Sequence, residues 1–217
     1  MQVEIWSDVV CPWCYIGKRR FEAAIDKFEA TSGEKVTVQY RPFMLDPTAP
    51  PVGKPVREVY EKKFGGPEGA ESVLNQVTTA AAGDGLDFNM DIALRANTLL
   101  AHRLLVLAER HDCQEQVKER LMRAYFTEGV DVGLLDELVS YGAEAGMDGD
   151  EVREWLEGDG GLDEVSESLE FAANNGFSGV PTYVIDRRLA VAGAQSPDSF
   201  VNLLTRVSQS SGPEMFS

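Results

Sequence analysis

Two thiols three residues apart, Cys11 and Cys14, are the side chains of this sequence best suited to covalent chemistry. They follow a β-rich apolar run, Val3-Glu4-Ile5-Trp6, and open a segment with helical periodicity. Cys14, Gly17, Phe21, Ala24, Ile25 and Phe28 recur at three- and four-residue steps and so share one helix face. Pro12 suits the first helical position, where a missing N–H costs nothing. Cys11 then falls at the N-cap, where its sulfur can accept from the free N–H groups of the first turn. The helix dipole favours a negative thiolate at the same place. Such effects move a cysteine pKa from the usual ~8.5 into the range of roughly 3.5–7.5. Cys14 lies on the stripe that faces inward. The pattern predicts one exposed, acidic sulfur and one sheltered sulfur behind it, the asymmetry that dithiol–disulfide exchange needs.

Two plainer readings compete. A Cys-x-x-Cys can be half of a zinc site, but a structural site takes four ligands. Only Cys113, His102 and His111 remain as cysteine or histidine donors, and neither a second Cys-x-x-Cys nor a His-x-x-x-His is present. No metal is expected. Two inert buried cysteines at a helix start form the other alternative, since cysteine is among the most buried residue types. Cys113, with helical and apolar surroundings, reads as a buried spectator.

The flanking pattern supplies the frame. A strand near Val3–Ser7, a helix near Pro12–Ala30 ending at Ser32-Gly33, and a strand at Val36–Tyr40 predict a right-handed parallel βαβ unit. A proline-rich loop follows, with Pro42, Pro47, Pro50, Pro51 and Pro55. From there to about Gly161 helical patterns dominate and no strand is predicted. The candidate helices are Pro55–Phe64, Pro67–Ala82, Ile92–Arg110, Gln114–Phe126, Leu134–Ala145 and Asp150–Glu157. Ile92–Arg110 is apolar on several sides and predicts the centre of a helical cluster. Near the end, Leu162, Val165, Leu169 and Ala172 form a helical stripe closed by Asn175-Gly176. Thr182–Ile185, the turn Asp186-Arg187-Arg188 and Leu189–Ala192 read as a hairpin. Ser196-Pro197 opens a last helix as N-cap and first residue.

Composition narrows the function classes. At 217 residues the chain can bury a sizeable core. Its formal net charge of −16 argues against a nucleic-acid partner, whose phosphates it would repel. The acidity is spread along the sequence; adaptation to high salt and an ordinary acidic chain both account for it. The N-terminus reads as entering a strand at once, without a secretory signal, and no segment has the length of a membrane span. A cytoplasmic protein with no membrane partner is expected, in a reducing compartment where a disulfide is transient and catalytic.

The motifs also resemble a known family. A Cys-x-x-Cys opening the first helix, with Val180-Pro181-Thr182 ahead of a late strand, is similar to the thioredoxin fold, and the long helical insertion resembles its DsbA branch. More narrowly, Ser7-Asp8-Val9-Val10-Cys11-Pro12-Trp13-Cys14-Tyr15-Ile16-Gly17-Lys18 resembles the FrnE-like oxidoreductases. So do Arg41-Pro42-Phe43, Asn97-Thr98-Leu99-Leu100-Ala101-His102-Arg103, Ala124-Tyr125-Phe126-Thr127-Glu128-Gly129, Ser178-Gly179-Val180-Pro181-Thr182 and Val191-Ala192-Gly193-Ala194-Gln195. The implied fold class is α/β, thioredoxin-like with a large all-helical insertion. Residues 1–53 and 162–217 would form the thioredoxin-like part and residues 54–161 the insertion.

The resemblance implies that Pro181 is a cis-proline beside the cysteine pair, turning Val180 outward to pair with a partner's extended chain. Glu4, a charge in an early central strand, is a candidate base for the Cys14 proton; an edge-facing or solvated glutamate is the alternative. Trp13 and Tyr15 read as exposed apolar contacts for a substrate. Thr182 and at least one of Asn97 and His102 are expected near the mouth of the site, a satisfied structural role being the alternative for the histidine. Lys18-Arg19-Arg20 could attract an anionic partner such as glutathione, or be a solvated helix face. The function implied is thiol–disulfide exchange with protein or small-molecule disulfides, needing no cofactor beyond the Cys11–Cys14 pair. Related glutathione-dependent isomerases and kappa-class transferases, which carry a serine at the position of Cys11, supply a second reading. A thiol-dependent binding or chaperone module supplies a third.

Overall fold

The computed structural model describes residues 1–50 and 52–210; Pro51 of the proline-rich loop, and the tail from 211 to 217 counted above in the second thioredoxin-like segment, lie outside them. The first strand, β1 (Gln2–Ser7), runs through the middle of a four-stranded sheet ordered β2-β1-β5-β6. It pairs parallel with β2 (Thr37–Pro42) and antiparallel with β5 (Thr182–Ile185), which turns through Asp186 and Arg187 into β6 (Leu189–Ala192). The helix between β1 and β2 is α1 (Pro12–Ser32), and the expected βαβ unit is therefore present. It stops where expected, at Gly33, whose left-handed φ of 73° lets its N–H reach Glu29 O.

Side-chain alternation gives the sheet two apolar faces. Val3 and Ile5 point to a core shared with Phe21, Ala24 and Phe28 of α1 and with Phe200, Leu204 and Val207 of α9 (Pro197–Gln209). Trp6 and Val184 point the other way, to Ala172 and Phe171 of α8 (Leu162–Asn174). The rings of Trp6 and Phe171 stack at 5.0 Å. As predicted, Ser196 caps α9, its side chain accepting from Ser199 N–H at 3.2 Å.

Between β2 and α8 the chain is mostly helical: α2 (Val56–Lys63), α3 (Pro67–Gly83), α4 (Leu99–Arg110), α5 (Gln114–Arg123), α6 (Leu135–Glu144) and α7 (Gly149–Glu157). Three details depart from the expectation. A two-residue ladder, β3 (Lys54–Pro55) with β4 (Leu94–Arg95), stands where no strand is predicted. It takes the first residues of the Ile92–Arg110 pattern, so α4 begins only at Leu99, after Asn97 Oδ1 accepts from Leu99 N–H. The helix that starts at Gln114 widens into a π-turn, Ala124–Glu128, where Asn89 N–H draws on the Phe126 carbonyl. No helix among the described residues is long and apolar enough to cross a membrane.

The two halves of α1 serve different cores. Cys14, Tyr15 and Ile16 pack with α4, α5 and the π-turn, whereas Phe21, Ala24 and Phe28 pack on the sheet. Gly17 marks the change. A Cβ there would stand 2.5 Å from Tyr183 Oη, 3.1 Å from Pro181 Cγ and 3.3 Å from Ala194 Cβ. Only glycine allows α1 to approach the Pro181 loop this closely. Gly17→Ala is expected to lower stability by about 1–3 kcal/mol in thermal melts, as overpacking does; an unchanged melting curve would show that the contact is loose.

Candidate active site

The cysteine loop is shaped by backbone hydrogen bonds. Cys11 N–H reaches Asp8 O at 3.2 Å, closing a turn at the end of β1, and Cys14 N–H reaches Cys11 O at 3.0 Å. Cys11 is the N-cap of α1, extended at φ −88° and ψ 115°, with Pro12 first in the helix. Its sulfur, however, does not cap the first turn. The reduced thiol is a donor and turns to the Val180 carbonyl at 3.6 Å. The Val180–Pro181 peptide bond is cis. The opening helix and the Pro181 loop thus meet at the Cys11 sulfur.

Both thiols are buried, with 4% of Cys11 and 3% of Cys14 exposed, so the expected exposed first cysteine is corrected. Val10, Trp13, Tyr60 and Val180 pack against the apolar cluster that holds the pair. No disulfide joins the two cysteines. Burial pushes the Cys14 thiol well above its ordinary range, and the neighbouring Cys11 pushes the same way. Lys118 and the backbone at Asp8 act against them.

A ring of polar groups surrounds the pair. Asp8, fully buried, accepts from Leu45 N–H at 2.8 Å and contacts His102 Nε2 at 3.2 Å. Burial, followed by the Cys11 charge, raises the Tyr60 hydroxyl to about 12. Burial also raises Tyr125, with Tyr60, Asp8, Asp131 and Cys11 contributing. Lys118 is fully buried, and burial pushes its amine down to about 8 against the pull of Cys14, Asp8 and Cys11. None of Asp8, Tyr60, Tyr125 and Lys118 is a site residue that sequence reasoning singled out. Lys118 had one legible signal: it falls in helical step with Gln114 and Met122, both buried.

The residues expected at the site divide. Pro12 is buried at the first turn, and Trp13 is half-buried against the cluster. Val180 and Thr182 line an open cavity of about 430 Å³ with Phe177, Gly179, Ala192 and Gly193. Thr182 Oγ1 donates to Gly179 O at 2.8 Å and so shapes the loop ahead of Pro181. Tyr15 is a correction. It is 3% exposed, stacked at 5.8 Å on Phe88, with its hydroxyl donating to Glu119 at 2.6 Å. His102, 1% exposed, lies behind the site and braces Asp8. Asn97 donates to Ala49 O at 3.1 Å and holds the start of α4.

Glu4 is the larger correction. It shares the Trp6 side of β1, while α1 packs on the Val3 and Ile5 side, so strand alternation points its carboxylate away from Cys14. It pairs instead with Arg41 at 2.6 Å and approaches Arg187 at 3.7 Å. It is neither a base for Cys14 nor a solvated residue, being 5% exposed. The basic run is likewise paired within the chain. Lys18 holds Glu22, Glu115 and Glu119; Arg19 holds Glu22 and Glu119; Arg20 holds Asp84.

A dithiol opening the first helix, met by a cis-proline ahead of an antiparallel strand, defines a thioredoxin-fold protein. The sequence matches the family described as DSBA-like thioredoxin domain over residues 2–205. A solved structure, a probable DsbA oxidoreductase of Streptomyces coelicolor, superposes with a TM-score of 0.91 at 35% identity, covering 98% of this chain and 92% of that one. A Bacillus subtilis relative, the uncharacterized protein YwbO, is 27% identical over 92% of this chain and 94% of its own length. The cytosolic disulfide reductase DsbM of Pseudomonas aeruginosa, solved with GSH, shares the fold with a TM-score of 0.67 at 20% identity, over 97% of this chain and all (100%) of that one. The chain belongs to the DsbA-like thioredoxin-domain family, with the α/β fold and helical insertion that the motifs resemble.

His102→Ala is expected to lower stability by about 2–3 kcal/mol, because Asp8 Oδ1 loses its buried partner. A urea transition with a lower midpoint and unchanged slope is the signature; an unmoved midpoint would contradict the bracing role.

Proposed function

We propose that this protein is a dithiol–disulfide oxidoreductase in which Cys11 is the attacking sulfur and Cys14 the resolving one. The observation that carries the reading is the position of Cys11 Sγ, at the start of α1 one turn ahead of Cys14 and hydrogen bonded to the Val180 carbonyl before the cis-proline. As a thiolate, Cys11 attacks one sulfur of a substrate disulfide. That disulfide breaks, one half leaves as a thiolate, and the other half stays bonded to Cys11. Cys14 then attacks Cys11 Sγ, the Cys11–Cys14 disulfide forms, and the second half leaves with the electron pair. The reverse sequence oxidises a partner's dithiol. No organic cofactor or metal enters either direction.

The surroundings suit these roles. Burial holds Cys14 as a thiol until the mixed disulfide has formed. The Val180 carbonyl, released when Cys11 becomes a disulfide, is available to a partner's backbone N–H in the manner of an added strand. The cavity beside Val180 and Thr182 gives an extended polypeptide or a small thiol room to lie. Glutathione is a fitting small partner on fold grounds alone, because the Lys18–Arg20 cations are already paired with Glu22, Glu115, Glu119 and Asp84. The reading fits a reducing, cytoplasmic setting.

Insulin reduction in the presence of dithiothreitol tests the assignment. Cys11→Ser is expected to fall to the uncatalysed background. Cys14→Ser is expected to accumulate a mixed disulfide visible by mass spectrometry under non-reducing conditions. Turnover retained by Cys11→Ser would contradict the reading and favour a glutathione-activating hydroxyl at that position.

A further inference from the structure

The cavity of about 430 Å³ beside the Cys11 loop has, in disulfide exchange as set out above, no task beyond giving a partner room. Its place follows from how the sheet is covered. Glu4, Trp6, Thr182, Val184, Ala190 and Ala192 share one face, because paired residues on neighbouring strands point the same way. That face is the opposite one from α1 and α9. On it α8 packs over the central strands, with Phe171 stacked on Trp6 and Ala172 against Val184. The edge strand, β6, is covered less: Ala190 is half-buried and Ala192 is exposed. Past Asn174 the chain leaves α8 through Gly176, left-handed at φ 71°, and Phe177 N–H closes the helix end on Ala172 O at 2.8 Å. The cavity lies between the loop that follows, as far as Val180, and the stretch of β6 from Ala190 to Gly193.

Two properties of this space decide what fits it. The first is charge. None of the described residues lining it is charged, in a chain with 36 acidic and 20 basic side chains. Thr182 and Asn175 already donate to Gly179 O and Phe171 O, at 2.8 and 2.9 Å. The apolar lining is Phe177, edge-on to Trp6 at 5.2 Å, with Val180, Ala190 and Ala192. An ionic group entering here would give up water without gaining a counter-charge, whereas an apolar one gains by leaving water. The second property is the link to the reacting sulfur. Val180 packs against the cluster that holds Cys11 and Cys14 and also against the cluster of Trp6 and Phe177. Its carbonyl accepts from Cys11 at 3.6 Å. The β6 side is tied to the same loop, Gly193 N–H reaching Pro181 O at 2.7 Å. A single residue, Val180, thus stands between the Cys11 sulfur and the cavity.

We propose that this cavity is a specificity pocket for an uncharged, apolar side chain next to the cysteine of a substrate polypeptide, an inference that rests on the disulfide-exchange reading. The Cys11 thiolate attacks the polypeptide's sulfur, a new S–S bond forms as the old one breaks, and the departing sulfur takes the electron pair. The polypeptide then lies across Val180, and a side chain flanking its cysteine enters the cavity against Phe177, Ala190 and Ala192. The small alanines of β6 leave the volume that this side chain fills. Glutathione, which carries a carboxylate on each side of its cysteine, gains nothing from such a pocket.

The test is stopped-flow reaction of the full-length reduced protein with capped peptides whose cysteine is held as a mixed disulfide with 2-nitro-5-thiobenzoate. Attack on the peptide sulfur releases the coloured thiolate. Its second-order rate is read for peptides with Phe, Ala, Lys or Glu on both sides of the cysteine, and for the corresponding glutathione disulfide. Each rate is divided by that of the same disulfide with N-acetylcysteine, which removes differences in intrinsic reactivity. The Phe peptide is expected to react about ten-fold faster than the Ala peptide, and the Lys, Glu and glutathione disulfides no faster than Ala. Ala192→Phe, which fills the pocket from the edge strand, should bring the Phe-to-Ala ratio close to one. Ala192→Glu should shift the preference from Phe to Lys. Ala192 is exposed, so neither change disturbs the packed core. A wild-type ratio near one, or a Phe preference that survives in Ala192→Phe, would overturn the pocket while leaving disulfide exchange standing. Release of thiolate from none of the substrates would overturn disulfide exchange itself, and the pocket with it.

Discussion

Exclusion of water from two sulfurs and an amine is the constraint on which this structure depends. Cys11 and Cys14 sit where the sheet meets the helical cluster, inside one continuous apolar environment. Burial disfavours a charged Cys14 and a charged Lys118 alike. Aromatic and aliphatic packing keeps this region dry: Tyr15 is stacked on Phe88, Phe88 on Phe126 at 4.4 Å, and Trp13 and Val180 pack against the same cluster.

A dry site must also be a fixed one, and α1 carries that burden. Its second half is anchored on the sheet, its first half in the helical cluster, and Gly17 lets the Pro181 loop close on it between the two. The polar links between α1 and α5 run around the rim, where Lys18, Arg19 and Tyr15 meet Glu115 and Glu119. Exposed ion pairs contribute little singly, but Lys18 is buried and serves three acids, so this group also sets the spacing of the two helices. The net charge of −16 leaves carboxylates in excess for such work.

Local signals in the sequence were good guides to local structure. Pro12 at the first helical position, Gly33 at a left-handed stop and Ser196-Pro197 at the start of α9 each act within a few residues, and each is found where chemistry puts it. The placement of the cysteine pair was legible from Pro12 and the helical stripe, and the cis-proline loop only through motif resemblance. The rest needed distance. Which face of β1 Glu4 occupies depends on which side α1 packs, and no local pattern states that. Residues 94–95 read as helix because their strand partner lies at residues 54–55. Tyr15 and Lys18 looked available because their partner, Glu119, is about a hundred residues away in sequence (separations of 104 and 101). Lys118 has the same character, since a helix stripe shows that it is buried but not what it faces.

The most direct test of the account is the order in which the three reduced cysteines of the native protein react with iodoacetamide, read by peptide mass spectrometry. Cys11 is expected to be labelled first, with Cys14 and Cys113 protected until the fold is opened by denaturant. Labelling of Cys14 or Cys113 at the rate of Cys11 would contradict the division of labour between the two sulfurs.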